Sequence, residues 1–596
     1  MQIEYKDRYP HQPPSLPEFD VSPELKKLTL MMISAMLVNF LIAGSLAIGM
    51  RILQTDVSIL KFDWIPQNVL FYALLTAHGQ IMFFGVVSIN TMWFGYYATS
   101  KWGRKQLLGI KWAKASFWIM EAAVALILLA GISGFGAGWY NLMPLTFLPG
   151  RSMLSWGTMA STTFLIADVL VGISITIFCI IIITTILKGK LPIGSQKFGS
   201  RYDEQEKSSS EKTKDSSFIE KEKDVEKEAI EKPDLEHTHM ENIPAGVRWV
   251  SLLGISSWFP KKWRELTPQV PIVLVGAFVT AIVQIIGNPG LFLQLANGFM
   301  SLSNPTTASN WLLTKDAWWF FAHPIVYFPL LIFLGSWYYF ASRTGGERIK
   351  YNKWNYRPWP FYAMFSVLVF SHHVFMDIPN PVWLQMVAQT ASLGIVFPSG
   401  LTIFTFLMFM WRSKVVWNIT VRFFIAGILG WAFGGFNGAE FGLWGTDVYL
   451  HNTMVLPSHI HLILLMGPLL LAFGVIYAIF PDLTKKHLSK SLSEIHYWMT
   501  IFGGFGFAIL FNIIGAEGAI RREANMPAAF DWSMLPLLFF ALCVGIAQFI
   551  FVYNFVKTWR RKVTKEELEE YEMLHKNPQG GGNTPPGDPS ILNQKI

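Results

Sequence analysis

Cysteine is scarce in this sequence, with two residues among 596. Cys179 lies in the apolar run ITIFCIIII, and Cys543 lies in FFALCVGIA. Two isolated thiols in apolar surroundings predict neither a structural disulfide nor a cysteine-ligated metal. They also exclude an iron–sulfur cluster on this chain.

Charge is the second shortage. Charged residues make up 15% of the chain and hydrophobic residues 52%, with 48 Phe, 24 Trp and 24 Met. A soluble protein of this length has far more surface to cover with charge, and a disordered chain has far less to bury. The first twenty residues are polar and Pro-rich, without the short apolar stretch of a secretory signal peptide. The composition therefore predicts a multi-pass membrane protein.

The predicted fold is all-α, a polytopic membrane protein built as a bundle of twelve transmembrane helices. A bilayer core needs about 20 mainly apolar residues per helix, and twelve segments meet this requirement. The fifth is the weakest, because Gly276, Gly287 and Pro289 interrupt it. The segments begin near Leu28, Val69, Ala113, Thr158, Val270, Ala317, Pro360, Met386, Val416, Leu456, Tyr497 and Leu535.

Lys and Arg are distributed unevenly between the loops. The loops after segments 2, 6, 8, 10 and 12 carry twenty of them, whereas the loops of the opposite face carry six. Because basic loops stay on the cytoplasmic side, both termini are predicted to be cytoplasmic, in a protein of the plasma membrane. This placement accounts for the net charge of +8 without a nucleic acid partner.

The same pattern divides the chain into parts. Residues 1–27 are predicted to be a cytoplasmic N-terminal tail, 28–560 the twelve-helix core and 561–596 a cytoplasmic C-terminal tail. Residues 198–245, between helices 4 and 5, are dense in Lys, Glu, Asp and Ser and have almost nothing to bury. We expect this insert to be a disordered cytoplasmic loop.

Histidine is concentrated inside the predicted helices. Of the thirteen His, six are placed in tails or loops, including His237, His239 and His496. One imidazole in a helix bundle is most often a structural residue bonded to a neighbouring helix. Several together indicate function, because a polar ring in hydrocarbon is costly without a partner. The seven are His78, His323, His372, His373, His451, His459 and His461.

The spacing of these histidines suggests metal centres. His459 and His461 are about 200° apart around an α-helix, so they can ligate two centres, one on each side. Imidazole is a good axial ligand for haem iron. His372 and His373 are about 100° apart and can converge on one centre with a third ligand. Three neutral imidazoles suit copper, with zinc a poorer second.

His323 is the natural third ligand, and it is followed by a tyrosine one turn later. Tyr327 shares a helix face with His323 because the two are four residues apart. A phenol beside copper can donate both a proton and an electron. The alternative for HPIVY alone is a kinked helix with an interfacial aromatic residue. Glu121 and Asp168 are acidic residues in other apolar runs, and no role is assigned to them.

Together these residues resemble subunit I of the haem-copper oxygen reductases. The motifs are HGQIM at His78, HPIVY at His323, the pair His372–His373 and HNTMVLPSHIH ending at His461, on helices 2, 6, 7 and 10. The resemblance covers residues 28–560. The motif HPIVY looks like that of the B branch of the family, because Ile325 stands where the A branch carries a Glu.

The resemblance implies two haems, one low-spin and one high-spin, and one copper ion enclosed by the bundle. Low-spin haem would take His78 and His461, and high-spin haem would take His459. Copper would be held by His323, His372 and His373. Tyr327 would be the catalytic tyrosine, covalently joined to His323.

Two further groups of residues match the family. The haem propionates would be held by Arg521, Arg522, Asp447 and His451. A proton pathway would use Tyr338, Ser399 and Thr402, for which the alternative is ordinary helix packing. Leu334 departs from the B-type pattern, which has a further Tyr there, so that link requires water or another residue.

The implied function is that of the catalytic subunit of a terminal respiratory oxidase. It would reduce dioxygen to water at the high-spin haem and copper, with electrons from the low-spin haem and coupled proton translocation. The implied partners are dioxygen, membrane lipid, other oxidase subunits including a subunit II, and quinol or a small redox protein as electron donor.

Two alternatives remain at this point. A nitric oxide reductase of the same superfamily would place non-haem iron at the three-histidine site, and iron usually needs a carboxylate as well. A non-redox transporter with structural histidines would be colourless when purified.

Overall fold

The computed structural model describes twelve stretches of the chain. They are residues 19–55, 66–139, 156–192, 237–239, 243–260, 264, 270–304, 310–344, 353–377, 380–412, 415 and 417–569. Most of the two predicted tails and most of the 198–245 insert lie outside these residues.

Helices account for nearly all of the described residues. The first half of the chain contains α1 (Pro23–Leu53), α2 (Gln67–Gln80), α3 (Ile89–Gly103), α4 (Ile110–Ile132), α5 (Thr158–Leu187), α6 (Ala245–Leu252), α7 (Ile272–Ser303) and α8 (Trp311–Thr344). The second half contains α9 (Lys353–Tyr356), α10 (Trp359–Leu368), α11 (Val382–Gly394), α12 (Val396–Arg412), α13 (Ile419–Phe441), α14 (Trp444–Leu450), α15 (Val455–Ile460), α16 (Pro468–Thr484), α17 (Lys490–Ala516) and α18 (Asp531–Arg560). Short 3₁₀ helices cover Ile255–Trp258, Val369–Val374 and Ala528–Phe530.

The described residues form one two-stranded antiparallel sheet, β1 (Lys190–Pro192) with β2 (His237–His239). In its register, His239 is opposite Lys190 and His237 is opposite Pro192. This pairing joins the end of α5 to the far end of the charged insert.

Eleven helical segments of the described chain are long and apolar enough to cross a membrane, with mean hydropathy between 1.6 and 2.8. They confirm an all-helical, multi-pass architecture, but the expected number was twelve. The difference lies in the segment predicted near Pro360. There α10 has 10 residues and gives way to a 3₁₀ helix of 6 residues, Val369–Val374, which is shorter than a typical span. A 3₁₀ helix rises about 2.0 Å per residue against about 1.5 Å in an α-helix, so fewer residues cover the same depth.

Two of the long helices contain a π-helical stretch. One covers Ile81–Ser88, between α2 and α3, and the other covers His461–Leu465, after α15. Each stretch begins within three residues of a histidine of interest, His78 or His461. Insertions of this kind are rare and occur mostly at functional sites.

A row of glycines lets α13 lie directly against the chain that carries His459. A Cβ at Gly430 would be 2.0 Å from the carbonyl oxygen of Met466, and one at Gly434 would be 2.8 Å from the backbone nitrogen of Ile463. Real Cβ atoms do not approach so closely, so only glycine permits this backbone contact.

A buried ionic cluster joins α1, α3 and α16 at one end of the bundle. The Lys101 Nζ lies 3.1 Å from Asp482 Oδ1, and the Tyr97 hydroxyl donates to Asp482 Oδ2 at 2.7 Å. Lys26 Nζ is a further 3.9 Å from the same carboxylate. The Lys101 and Asp482 side chains are only 3% and 4% exposed, so neither charge is well solvated.

Asp482→Asn should destabilise the protein by about 3 kcal/mol, because it leaves the buried Lys101 ammonium without its counter-charge. Thermal unfolding of the purified protein in detergent measures the effect. Glu569→Gln is the control, since the Lys565–Glu569 pair is exposed and worth less than about 1 kcal/mol. Equal melting temperatures for the two variants would show that the buried ionic cluster does not stabilise the protein.

Candidate functional site

Three histidines from two segments meet inside the bundle. His323 comes from α8, and His372 and His373 come from the 3₁₀ helix after α10. One ligand atom of each lies within 4.8 Å of those of the other two. The ring centroids are 4.4–5.3 Å apart. Among the described residues this metal-ligand group contains imidazoles alone, without a carboxylate or a thiolate.

Neighbouring groups fix these rings. The Ser392 hydroxyl donates to the carbonyl of Ala388 at 2.7 Å, so it accepts from His372 Nδ1 at 2.9 Å and leaves Nε2 of His372 as the free lone pair. The Trp319 indole stacks on His373, with centroids 3.7 Å apart and planes 3° apart. His323 Nδ1 is 3.2 Å from the carbonyl oxygen of Ser366. Ring orientation is therefore set before any ion binds.

His459 lies on the α13 side of its helix. Its Nδ1 donates to the Gly434 carbonyl at 2.8 Å, which leaves Nε2 as the acceptor. A Cβ at Gly438 would be 3.0 Å from His459 Cε1, so a larger residue there would press against the ring. His459 is also close enough to interact electrostatically with His323 and His372.

His461 faces a different space, a deep cavity that it shares with His78. His78 Nδ1 donates to the Ala43 carbonyl at 2.9 Å, and His461 Nδ1 donates to the Pro457 carbonyl at 2.6 Å. Both rings therefore keep Nε2 as the ligand atom. Phe507 and Phe511 belong to the same largely apolar wall.

Three arginines line this cavity together with the histidines: Arg51, Arg521 and Arg522. Arg51 is buried at the end of α1, and its Nη1 has no hydrogen-bond partner among the described residues. An unpaired buried guanidinium nitrogen is costly, so an anionic group belongs beside it. An apolar cavity with two facing imidazoles and several cations fits a haem with its propionates.

The loop before α18 contributes a strained residue to this wall. Arg522 has φ 65°, a left-handed conformation that non-glycine residues avoid at about 1–2 kcal/mol. Its neighbour Arg521 is fixed through its backbone N–H to the Asn452 carbonyl at 2.9 Å and its Nη2 to Asn452 Oδ1 at 3.2 Å. Such strain persists where the surroundings hold a residue for function.

Asp447 and His451 form a pair at the other side of the histidine helix. His451 Nδ1 is 3.0 Å from Asp447 Oδ2, and Asp447 is almost fully buried. His451 also lies within electrostatic range of His372 and His373. The lining of the cavity of His78 does not include this pair.

The predicted proton-pathway residues lie between α8 and α12. The Tyr338 hydroxyl donates to Thr402 Oγ1 at 3.1 Å. Tyr327 is close to the three-histidine group, with its ring centroid 5.1 Å from that of His323. The Tyr362 hydroxyl of α10 lies 2.9 Å from the same Thr402 oxygen, a contact that sequence reasoning did not predict.

Other polar residues also escaped prediction. His496, expected in a loop, is fully buried in α17, where Nδ1 is 3.1 Å from the Tyr477 hydroxyl. Arg51 was not singled out, although an arginine at the end of an apolar run is a signal that could have marked it. Glu121, noted in the sequence as an acidic residue in an apolar run, accepts a hydrogen bond from Asn39 Nδ2 at 3.0 Å.

Comparison with known proteins agrees with this geometry. The family model described as cytochrome c and quinol oxidase polypeptide I matches residues 27–197 and 245–550. Cytochrome c oxidase subunit 1 of Thermostichus vulcanus is 23% identical over 535 residues, covering 88% of this chain and 81% of that protein. The subunit 1 of Synechocystis sp. is 22% identical over 498 residues, covering 83% and 76%. A solved heme-copper terminal oxidase dimer has the same fold, with a TM-score of 0.65 at 16% identity, over 92% of this chain and 90% of that one.

Fold, site and relatives define an oxidoreductase of the haem-copper class. The chain belongs to the family of cytochrome c and quinol oxidase polypeptide I, whose model covers well over half of it.

Removing one histidine from each group should have separate effects on the optical spectrum. His78→Ala should abolish the low-spin haem signal, because the cavity loses one of the two imidazoles expected to hold that haem, while His323→Ala should keep that signal and lose bound copper. Visible spectroscopy and metal analysis of the purified variants measure both. His496→Asn, which removes a buried imidazole outside both groups, should keep haem and copper. An unchanged spectrum in His78→Ala would refute its assignment.

Proposed function

We propose that this chain is the catalytic subunit of a terminal respiratory oxidase that reduces dioxygen to water and couples this reaction to proton translocation. Its family supports the oxidase activity. The observation that supports the site is the opposition of His459 and His461. His459 is within electrostatic range of the group of three imidazoles, and His461 lines an apolar cavity with a second histidine and three arginines.

Family membership implies haem and copper, and the residues fit both. His78 and His461 would hold a low-spin haem, and His459 would hold a high-spin haem. Copper would be held by His323, His372 and His373. When bound, these groups would supply electron transfer and oxygen binding, which protein side chains alone cannot provide.

The chain's own residues orient and charge-balance this centre. The Ser392 hydroxyl and the backbone carbonyls of Ala43, Gly434 and Pro457 hold imidazole rings in one tautomer. Arg521 and Arg522, with Arg51, offer guanidinium groups to propionates on one side. Asp447 and His451 would serve the propionates nearest to the copper group.

Tyr327 would supply a proton at the oxygen-reducing site. It lies one helical turn after His323, and its half-buried phenol has a ring tilted 43° to the imidazole. The covalent link to His323 is supported by this proximity. Protons would reach Tyr327 from the cytoplasmic side through Tyr338, Thr402 and Ser399.

The proposed orientation has both termini in the cytoplasm, and it requires an even number of crossings. The segment formed by α10 and its 3₁₀ continuation would be the twelfth. It is buried at Trp359 and Val374, near its two ends, which supports a path through the bundle. Other oxidase subunits, a subunit II among them, would deliver electrons from a quinol or a small redox protein.

The nitric oxide reductase alternative is less well supported. Non-haem iron usually takes a carboxylate as well as imidazoles, and the three-histidine group of the described chain includes none. Tyr327 would also have no role in it.

The purified protein, with the subunits that accompany it, should contain two haems and one copper per chain and should consume dioxygen. A pyridine haemochrome spectrum, metal analysis and an oxygen electrode measure these quantities. A colourless preparation, or iron in place of copper at equal occupancy, would contradict the proposal.

Tyr327→Phe should assemble with both haems and lose turnover by on the order of a hundredfold or more, because the proton donor at the centre is removed. Oxygen consumption in detergent measures the loss. The matched control is Tyr553→Phe, whose side chain is exposed near the end of α18. Normal oxygen consumption by Tyr327→Phe would show that the tyrosine is dispensable.

A further inference from the structure

The proposed proton route has a gap within α8. Tyr327 and Tyr338 are eleven residues apart on this helix, which is about 16 Å along its axis. No single hydrogen bond spans that distance. Leu334 occupies the helix face between them and is fully buried and apolar. The link between the two tyrosines therefore requires water or a hydroxyl from another helix.

Tyr362 of α10 lies at the right depth. It precedes His372 by ten residues, part α-helix and part 3₁₀ helix, or about 17 Å. Along the axis of α8, Tyr327 is about 6 Å and Tyr338 about 22 Å from His323. His323 and His372 lie together in the three-histidine group. Tyr362 is thus intermediate between the two, and both are within its electrostatic range.

The hydroxyl contacts of Tyr362 join it to the route. Thr402 Oγ1 accepts from Tyr338 at 3.1 Å and lies 2.9 Å from the Tyr362 hydroxyl. The Thr402 hydroxyl itself donates to the carbonyl of Pro398 at 3.1 Å. Ser399, one turn before Thr402 on α12, also interacts with the Tyr362 hydroxyl. Tyr338, Tyr362 and Thr402 are no more than 3% exposed, so the contacts are shielded from bulk solvent.

We propose that Tyr362 is a positioning residue of the proton route, whose hydroxyl replaces the one absent at Leu334 and connects Thr402 to Ser399 and onward to Tyr327. This inference rests on the proposed function. The Thr402 oxygen accepts a proton from Tyr338, and its own proton turns from the Pro398 carbonyl to the Tyr362 oxygen. Tyr362 then releases its proton to Ser399, whose own proton moves on toward Tyr327, and Tyr338 regains a proton from the cytoplasmic side. Only O–H bonds form and break, each of the four hydroxyls ends with the proton count it began with, and no electron moves.

A purely structural role for Tyr362 makes a different prediction. In that case its hydroxyl only ties α10 to α12, and its loss loosens packing without favouring any one step. The two roles separate when the reduction of each haem is followed by itself in the absence of oxygen. An electron added to a buried centre needs a compensating proton, because a net charge in low dielectric is unfavourable.

The experiment is anaerobic stopped-flow reduction of the intact enzyme complex carrying Tyr362→Phe, with a pH-indicator dye to follow proton uptake. We expect the low-spin haem to be reduced at the wild-type rate, while reduction of the high-spin haem and proton uptake slow by about tenfold or more. Melting temperature and haem spectra should not change. The control is Tyr96→Phe, which removes a buried hydroxyl bonded to Ser116 at 2.7 Å in another part of the bundle; it should leave both phases unaffected.

A second pair of variants tests the order of the residues. If Tyr362 and Thr402 act in series, adding Thr402→Val to Tyr362→Phe should slow the high-spin phase no further than the slower single variant. Tyr362→His keeps a group that can pass a proton and should recover most of the lost rate. Multiplied effects in the double variant, or no recovery with His, would contradict the inference.

Two outcomes for Tyr362→Phe overturn the inference: normal rates for both haems, or equal slowing of both with a lower melting temperature. Tyr338→Phe distinguishes this failure from failure of the route itself. A slow high-spin phase in Tyr338→Phe with a normal phase in Tyr362→Phe rejects Tyr362 alone. Normal phases in both variants reject the proposed route.

Discussion

The structure depends on holding imidazole rings in a low-dielectric interior with one nitrogen satisfied and the other available. A buried ring nitrogen without a partner is costly, and a ring free to rotate would be a poor ligand. In His78, His459 and His461 the Nδ1 donates to a backbone carbonyl, and in His372 it donates to a hydroxyl that is itself committed to a carbonyl. The main chain thereby dictates where each Nε2 points.

Buried charged residues have different roles at the two ends of the bundle. At one end, Lys101 and Asp482 neutralise each other and join helices distant in sequence. At the other, Arg51 is buried in a cavity wall with a guanidinium nitrogen that no described residue satisfies. A closed ion pair stabilises the bundle by itself, whereas an open cation becomes favourable when a ligand brings negative charge.

Sequence periodicity was sufficient for the coarse architecture and for one feature of the site. Apolar segments located eleven spanning helices, and the two-residue spacing of His459 and His461 predicted that they face different sides. The 3₁₀ helix that contains His372 was not predicted, because the hydrophobicity of a segment does not show which backbone hydrogen bonds it makes. Tyr362 was missed because its partner Thr402 is forty residues away and nothing local marks the contact. The B-type assignment and the ligand roles stay predictions.

The glycine row of α13 has a consequence for how such a centre can vary between relatives. Gly430 and Gly434 seat this helix on bare peptide groups around Ile463 and Met466, so no side chain there can be exchanged for a longer or shorter one. The separation between α13 and the segment that carries His459 and His461 is consequently set by the backbone and not by the size of a side chain. Side chains elsewhere on these helices can change in size, whereas the distance between α13 and the segment that carries His459 cannot change unless the backbone itself moves.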